Sequence, residues 1–121
     1  MASVRYLVHD VDAAIAFYVE QLGFRLATHM GTAFAIVERD DLVLWLSGPE
    51  SSAARPMPDG TQPEPGGWSR LVLEVDDVPA EAERLQAAGV AFRNAPLTGP
   101  GGTQVVLEDP SGNAIELFSP R

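Results

Sequence analysis

Hydrophobic and polar residues alternate in several short runs of the chain, and this is the pattern of half-buried β-strands. The first run is SVRYLVH, residues 3–9, in which one predicted face carries Ser3, Arg5 and Leu7. The other runs are FRLATHM (24–30), TAFAIVE (32–38), LVLWLS (42–47), WSRLVLEV (68–75), VAFRNA (90–95), TQVVLED (103–109) and NAIELFS (113–119). The pattern therefore predicts eight strands.

Two segments have the spacing of amphipathic helices instead. In AAIAFYVEQL, residues 13–22, the apolar positions recur every three or four residues, Asp10 or Asp12 can cap the start, and Gly23 ends the segment. The second segment, AEAERLQAAG, covers residues 80–89 and follows Asp-Asp-Val-Pro at 76–79, with the proline near the first turn. Each predicted helix follows the first strand of one half of the chain.

The two halves repeat the same order of a strand, a helix and three strands. Residues 48–67, with five prolines and four glycines, separate the halves and favour a loop over a regular element. We therefore predict one α+β domain over residues 1–121, with modules at about 1–47 and 68–121 joined by the loop 48–67. A curved mixed sheet around a concave cavity is the expected architecture.

Composition and charge narrow the possible functions. The 121 residues include no cysteine, which excludes disulfides, thiolate metal sites and a cysteine nucleophile. The net charge of −9 argues against nucleic-acid binding, which needs a basic surface. No apolar run approaches the roughly 18 residues of a membrane span, and no signal peptide is recognisable. We expect a cytoplasmic protein with neither membrane nor nucleic-acid partners.

Three motifs in order, VHDVDAAIAFYVEQLGF, LVLEVDDV and GPGGTQVVLEDPSGNAIELF, resemble the vicinal oxygen chelate (VOC) superfamily. This superfamily includes glyoxalase I, bleomycin-resistance proteins and extradiol dioxygenases. The resemblance covers nearly the whole chain and implies paired βαβββ modules, a ligand cavity on the concave side of the sheet, and a homodimer. It also implies that an enzyme of this family would carry one metal ligand on each of the first, fourth, fifth and eighth strands.

Aligned with the family, these four positions are Ser3, Trp45, Arg70 and Glu116. Only Glu116 is a suitable ligand for a divalent cation, because tryptophan does not coordinate one and arginine repels it. We therefore predict no metal site, no cofactor and no catalytic residue. Since Arg70 and Glu116 are expected on one face of neighbouring strands, they are predicted to form a bidentate ion pair.

The predicted ligand-binding residues are the aromatic and charged side chains expected to face the cavity: Arg5, Trp45, Trp68, Arg70, Glu116 and Phe118. Trp45 either stacks on a planar ligand or fills the core, and the same two alternatives apply to Trp68. Arg70 either faces the ligand or lies exposed with its stem on the sheet. The two histidines, His9 and His29, match none of the family's ligand positions.

The leading hypothesis for function is a metal-independent small-molecule binder of the bleomycin-resistance type, with an antibiotic as one candidate ligand. An acidic surface and an aromatic cavity favour a planar or cationic ligand. The alternative is a metal-dependent enzyme, a glyoxalase-type lyase or isomerase or an extradiol dioxygenase, with a degenerate metal site. A third hypothesis is an accessory or regulatory module with no ligand of its own.

Overall fold

The computed structural model describes residues 1–121 and shows an α+β protein built from two βαβββ modules, which confirms the predicted fold class. The chain forms two compact units, Met1–Gly66 and Gly67–Arg121, and each contains one four-stranded mixed sheet. The elements of the first unit are β1 (Val4–Leu7), α1 (Val11–Ala16), β2 (Arg25–Met30), β3 (Phe34–Arg39) and β4 (Leu42–Ser47). Those of the second unit are β5 (Leu71–Glu74), α2 (Val78–Ala87), β6 (Leu97–Thr98), β7 (Gly102–Glu108) and β8 (Ala114–Pro120).

The sheet of the first unit has the order β1-β4-β3-β2, with β1 parallel to β4 and the other pairs antiparallel. Helix α1 packs on β3 and β4. The side chains on this face are fully buried: Ala35, Val37, Leu44 and Leu46 are 0% exposed. Because side chains alternate along a strand, the intervening residues of β3 and β4 lie on the opposite face, away from the helix.

Asp10 rather than Asp12 caps the first helical segment, since the Ala13 N–H donates to Asp10 Oδ1 at 3.1 Å. The helix changes to a π-helical turn at Phe17–Gln21 and ends before Gly23, whose φ of +72° suits glycine. The fully buried Tyr18 ring makes edge-to-face contacts with Phe17 and Phe24. The π-helical turn therefore contains two of the three rings in this aromatic cluster, Phe17 and Tyr18.

The sheet of the second unit has the order β5-β8-β7-β6, with β5 parallel to β8. Helix α2 packs on β7 and β8 and is capped by Asp77, whose Oδ1 accepts the Ala80 N–H at 3.0 Å. The leucines of β5 and the pair Ile115 and Leu117 of β8 are buried, while Val72 is 54% exposed. The alternation predicted for β5 is confirmed, whereas in β8 Ala114 and Glu116 are buried as well.

The predicted strand at residues 90–95 (VAFRNA) was wrong, because β6 lies at Leu97–Thr98. The backbone of residues 90–95 pairs with β7 through an isolated bridge, Phe92 to Leu107, and two flanking hydrogen bonds. The Val106 N–H bonds to the side-chain Oδ1 of Asn94 at 2.9 Å. A side-chain acceptor thus takes the place of a ladder carbonyl, and a regular strand pair does not continue.

The turn that precedes β8 is held by one buried carboxylate, Asp109. Its Oδ1 accepts the backbone N–H groups of Ser111 and Asn113 at 2.8 and 2.9 Å, and its Oδ2 accepts the Asn113 side-chain amide at 3.0 Å. Gly112 adopts a φ of +84°, which favours glycine. The motif EDPSGN therefore encodes the turn that sets where β8 begins.

The proline-rich segment 48–67 is folded on itself through most of its length, and residues 48–66 belong to the first unit. It contains a 3₁₀ turn at Ser52–Ala54, and the Gln62 side chain donates to the Ala54 carbonyl at 2.8 Å. The Thr61 N–H and hydroxyl donate to Asp59 and lower the pKa of that carboxyl. No helix of the chain is long and apolar enough to cross a membrane.

Candidate functional site

In the first unit, Arg5 and Trp45 form a cation–π pair on the sheet face opposite α1. The two residues are direct register partners on the parallel strands β1 and β4. The Arg5 Cζ lies 5.0 Å from the Trp45 ring centroid, and Phe34 meets the same ring edge-to-face at 5.8 Å. Trp45 is half-buried and is not a core residue. Strand pairing therefore brings together two of the predicted ligand-binding residues.

These side chains border an open pocket of about 420 Å³, lined by Met1, Ser3, Val4, Arg5 and Trp45. No carboxylate forms an ion pair with Arg5, so the pocket holds a guanidinium whose charge is not neutralised locally. A tryptophan ring offers a flat apolar surface, and a guanidinium offers donors for oxygen atoms. The pocket is suited to a planar group that carries an anionic or carbonyl oxygen.

In the second unit, Arg70 and Glu116 form the predicted ion pair. Arg70 Nε donates to Glu116 Oε1 at 2.9 Å, and the side chains are 29% and 10% exposed. The prediction of a bidentate pair was wrong, because the contact is through Nε alone and Nη1 turns toward the Trp68 carbonyl at 3.4 Å. Arg70 is therefore neither a fully exposed strand residue nor a free cation.

Trp68 lies at the surface, 70% exposed, and is not a core residue. One face of its ring is covered by Arg93, whose Cζ lies 4.5 Å from the ring centroid. Arg93 is itself fixed by three hydrogen bonds of 2.8–2.9 Å, to Glu108 Oε2 and to the carbonyls of Gly67 and Gly112. The Trp68 ring is thus a stacking surface supported from one side by an immobilised guanidinium.

Phe118 lies on β8 at the alternate position after Glu116 and is half-buried. Its ring rests over Gly102, where a Cβ atom would lie 3.1 Å from Phe118 Cζ and 2.1 Å from the Ser119 carbonyl. The contact with the Ser119 carbonyl is the limiting one, so only glycine allows this approach of β7 to the backbone of β8. A ligand contact of Phe118 stays a prediction.

The residues predicted to occupy the family's metal positions do not fit a divalent cation. Ser3 and Trp45 occupy two of them in the first unit, and Arg70 and Glu116 occupy the other two in the second. Arg70 engages the carboxylate of Glu116, the one suitable donor. No three or more His, Cys, Asp or Glu side chains of the chain come together in a way that could hold a metal ion.

The two histidines are also explained without a metal. His29 Nε2 lies 3.3 Å from Asp12 Oδ1 in an exposed contact, and His9 borders a different pocket, under the proline-rich loop. A histidine and a carboxylate at the surface are too few ligands for a zinc site, which takes at least three protein donors.

Sequence reasoning missed two residues of these sites, Phe34 and Arg93. Alternation in TAFAIVE carried the signal for Phe34, because it places Phe34 and Ile36 opposite the buried Ala35 and Val37. No local signal pairs Arg93 with Trp68, since tertiary folding alone brings these segments together.

The topology defines a class of protein: an α+β fold of two βαβββ modules, each with a four-stranded mixed sheet. The chain belongs to the Glyoxalase/Bleomycin resistance protein/Dioxygenase superfamily, whose sequence profile it matches over residues 1–117. An uncharacterised protein from Shewanella frigidimarina (strain NCIMB 400) is 32% identical to it, over 95% of this chain and 89% of the relative.

Two solved structures illustrate the range of this superfamily. TnmS3, an antibiotic-binding protein from Streptomyces sp. CB03234, is 33% identical, with a TM-score of 0.75 over 100% of this chain and 96% of TnmS3. Lactoylglutathione lyase from Agrobacterium tumefaciens is 21% identical, with a TM-score of 0.74 over 98% of this chain and 92% of the lyase. At this lower identity, the likeness to the lyase concerns the fold alone.

Proposed function

We propose that this protein binds a small organic molecule without the help of a metal ion, as an antibiotic-binding member of its superfamily. The observation that carries the proposal is the ion pair of Arg70 with Glu116, at 2.9 Å. It engages the one carboxylate found at the family's four metal positions. A metal bound there would have to displace a guanidinium from a largely buried carboxylate, which is unfavourable.

The first unit supplies the ligand-binding surface. Trp45 presents aromatic area next to the charge of Arg5, in a pocket large enough for a small planar ligand. Phe34 supports the Trp45 ring through an edge-to-face contact. The local charge argues against a cationic group at this place, although the whole chain carries −9. We therefore refine the expected ligand of this pocket to a planar molecule with an acidic or carbonyl oxygen near Arg5.

The relative TnmS3 supports a binding rather than a catalytic function. Its name describes an antibiotic-binding protein, and it is similar to this chain over the full length. In the second unit, Trp68, Arg70, Glu116 and Phe118 stay predicted ligand contacts from the sequence.

The test is a calorimetric titration with 2-naphthoate and, as its matched counterpart, 2-naphthylmethylamine, after treatment of the protein with EDTA. The two probes share a planar body and differ in charge. We expect the acid to bind more tightly than the amine, Arg5→Met to weaken the acid about tenfold or more, and Trp45→Leu to weaken both. Binding of the acid that appears only after a divalent metal is restored would contradict metal independence.

Arg55 provides the matched control. It is an exposed arginine of the same unit and does not line the pocket. Arg55→Met changes the net charge by the same amount as Arg5→Met, so it measures the long-range electrostatic effect alone. Equal weakening by both variants would show that Arg5 makes no direct contact with the ligand.

A further inference from the structure

Ser47, the last residue of β4, is 0% exposed, and its Oγ has no hydrogen-bond partner within the protein. It is the only buried side-chain nitrogen or oxygen of the chain in this state. A buried hydroxyl without a partner costs free energy, and native proteins rarely retain one without a reason. An absent partner from outside the chain is the explanation that its surroundings suggest.

Ser47 borders a pocket of about 230 Å³ that lies under the proline-rich loop. Leu7, the register partner of Ser47, forms one wall, and Pro49, Pro63 and Pro65 form much of the rest. This volume is several times what one water molecule occupies, so a single ordered water would not fill it. The pocket is of the size and apolarity that suit a small organic molecule rather than a drug-sized one.

The charge of this pocket is opposite to that of the Arg5–Trp45 pocket. Glu64 lines it, is exposed, and takes part in no ion pair or hydrogen bond. His9 is the one basic side chain that lines it, and the chain contains no lysine. Gln62 also lines it, but its amide donates to the Ala54 carbonyl. The polar groups left for a ligand include a buried hydroxyl oxygen and a carboxylate, which both accept hydrogen bonds.

We propose that this pocket is a second ligand site, which takes a small primary amine with a compact apolar body. The ammonium group donates to Ser47 Oγ and pairs with the Glu64 carboxylate, while the apolar body contacts Leu7 and the prolines. The site is independent of the function proposed above, because it uses other residues and the opposite charge. The proline-rich loop supplies most of the walls of this site and therefore takes part in ligand binding.

The experiment is an NMR titration of the ¹⁵N-labelled protein with benzylamine, benzyl alcohol and benzoate, three probes with one ring and different charges. We expect saturable shifts with benzylamine that centre on the backbone amides of Ser47, Gly48 and Glu64. Benzyl alcohol and benzoate should bind about fivefold more weakly or not at all. Equal affinity of the three probes, or shifts that centre on other parts of the chain, would overturn the proposal.

Variants assign the two polar contacts. Ser47→Ala and Glu64→Gln should each weaken benzylamine about fivefold, while the exposed control substitutions Ser69→Ala and Glu83→Gln should leave it unchanged. Ser47→Ala removes an unsatisfied buried group, so its melting temperature should stay the same or rise, and the folded variant remains testable. Unchanged affinity in either pocket variant would refute the corresponding contact, and unchanged affinity in both would leave no amine site.

Discussion

The ion pair of Arg70 and Glu116 illustrates how a single residue takes its role from its neighbour. Glu116 lies in the middle of a buried strand, where an ionised carboxylate without a partner is strongly unfavourable. Arg70 supplies the partner, and since its side chain is 29% exposed against 10% for Glu116, it retains more contact with water. The two residues therefore depend on each other unequally, and Glu116 depends more on Arg70.

This inequality leads to a prediction for the two leucine variants. Arg70→Leu leaves a buried carboxylate unpaired and should lower the free energy of unfolding by about 2–4 kcal/mol, somewhat below the usual cost for a fully buried pair. Glu116→Leu leaves the more exposed arginine and should cost less. The double variant should recover part of the loss, because no charge is left unpaired. Urea denaturation of the four proteins measures these differences.

A surface pair provides the control for this cycle. Arg84 and Glu81 contact each other at 2.7 Å on α2, with side chains 48% and 36% exposed. Exposed pairs of this kind typically couple by about 0.5 kcal/mol or less. If the Arg70–Glu116 cycle gives a coupling energy as small as that of the surface pair, the burial of the contact has no energetic consequence.

At the scale of the element, both helices begin in the same way. Asp10 and Asp77 have extended backbone conformations, and each side chain accepts the N–H of the residue three positions later. Such caps satisfy a backbone donor that has no partner within the helix. The corresponding motifs, His-Asp-Val-Asp and Asp-Asp-Val-Pro, therefore carry the helix start signal of each module.

The cap of α2 can be tested with neighbouring aspartates. Asp77→Ala removes the acceptor of the Ala80 N–H and should lower the free energy of unfolding by about 1 kcal/mol. Asp76→Ala is the matched control, because only the backbone carbonyl of Asp76 takes part in a described contact, with Ser119. Thermal melts of both variants decide the matter, and equal losses would mean that charge near the helix start matters rather than the cap.

For the molecule as a whole, metal content is the property that separates a binder from a metal-dependent enzyme of the same fold. We expect protein purified without chelator to contain far less than one equivalent of zinc, nickel, iron or manganese per chain. The reason is that the altered positions leave too few donors for these ions. Elemental analysis by mass spectrometry provides the measurement, and about one equivalent of any of these metals would refute the prediction.

The oligomeric state and the domain organisation are two further properties of the whole molecule. The homodimer implied by the family resemblance stays a prediction, as does the grouping of the two modules into one domain.

The acidic composition, with 17 carboxylate residues and 8 basic ones, favours attraction of cations over anions at long range. The Arg5–Trp45 pocket opposes this general field locally, whereas the Ser47–Glu64 pocket reinforces it.

The sequence by itself determined the fold, because the spacing of hydrophobic residues along the chain is visible without the tertiary structure. Alternation identified the buried faces of β4 and β5, and the buried leucines of both strands confirm it. The same alternation placed Arg70 and Glu116 on one face, so their ion pair was predictable. It also placed Trp45 on the face away from the helix, where the structure has it.

Only the tertiary structure decided where distant segments meet. The register of β1 against β4 sets Arg5 over Trp45, and the fixed position of Arg93 beneath Trp68 depends on carbonyls from two other segments. Likewise, Ser47 lacks a partner only because the proline-rich loop and β1 enclose it without offering one. Hydrogen bonds and ring contacts form only when residues far apart in the chain are positioned to within a fraction of an ångström. A pattern of polar and apolar residues along the chain does not encode positions of that precision.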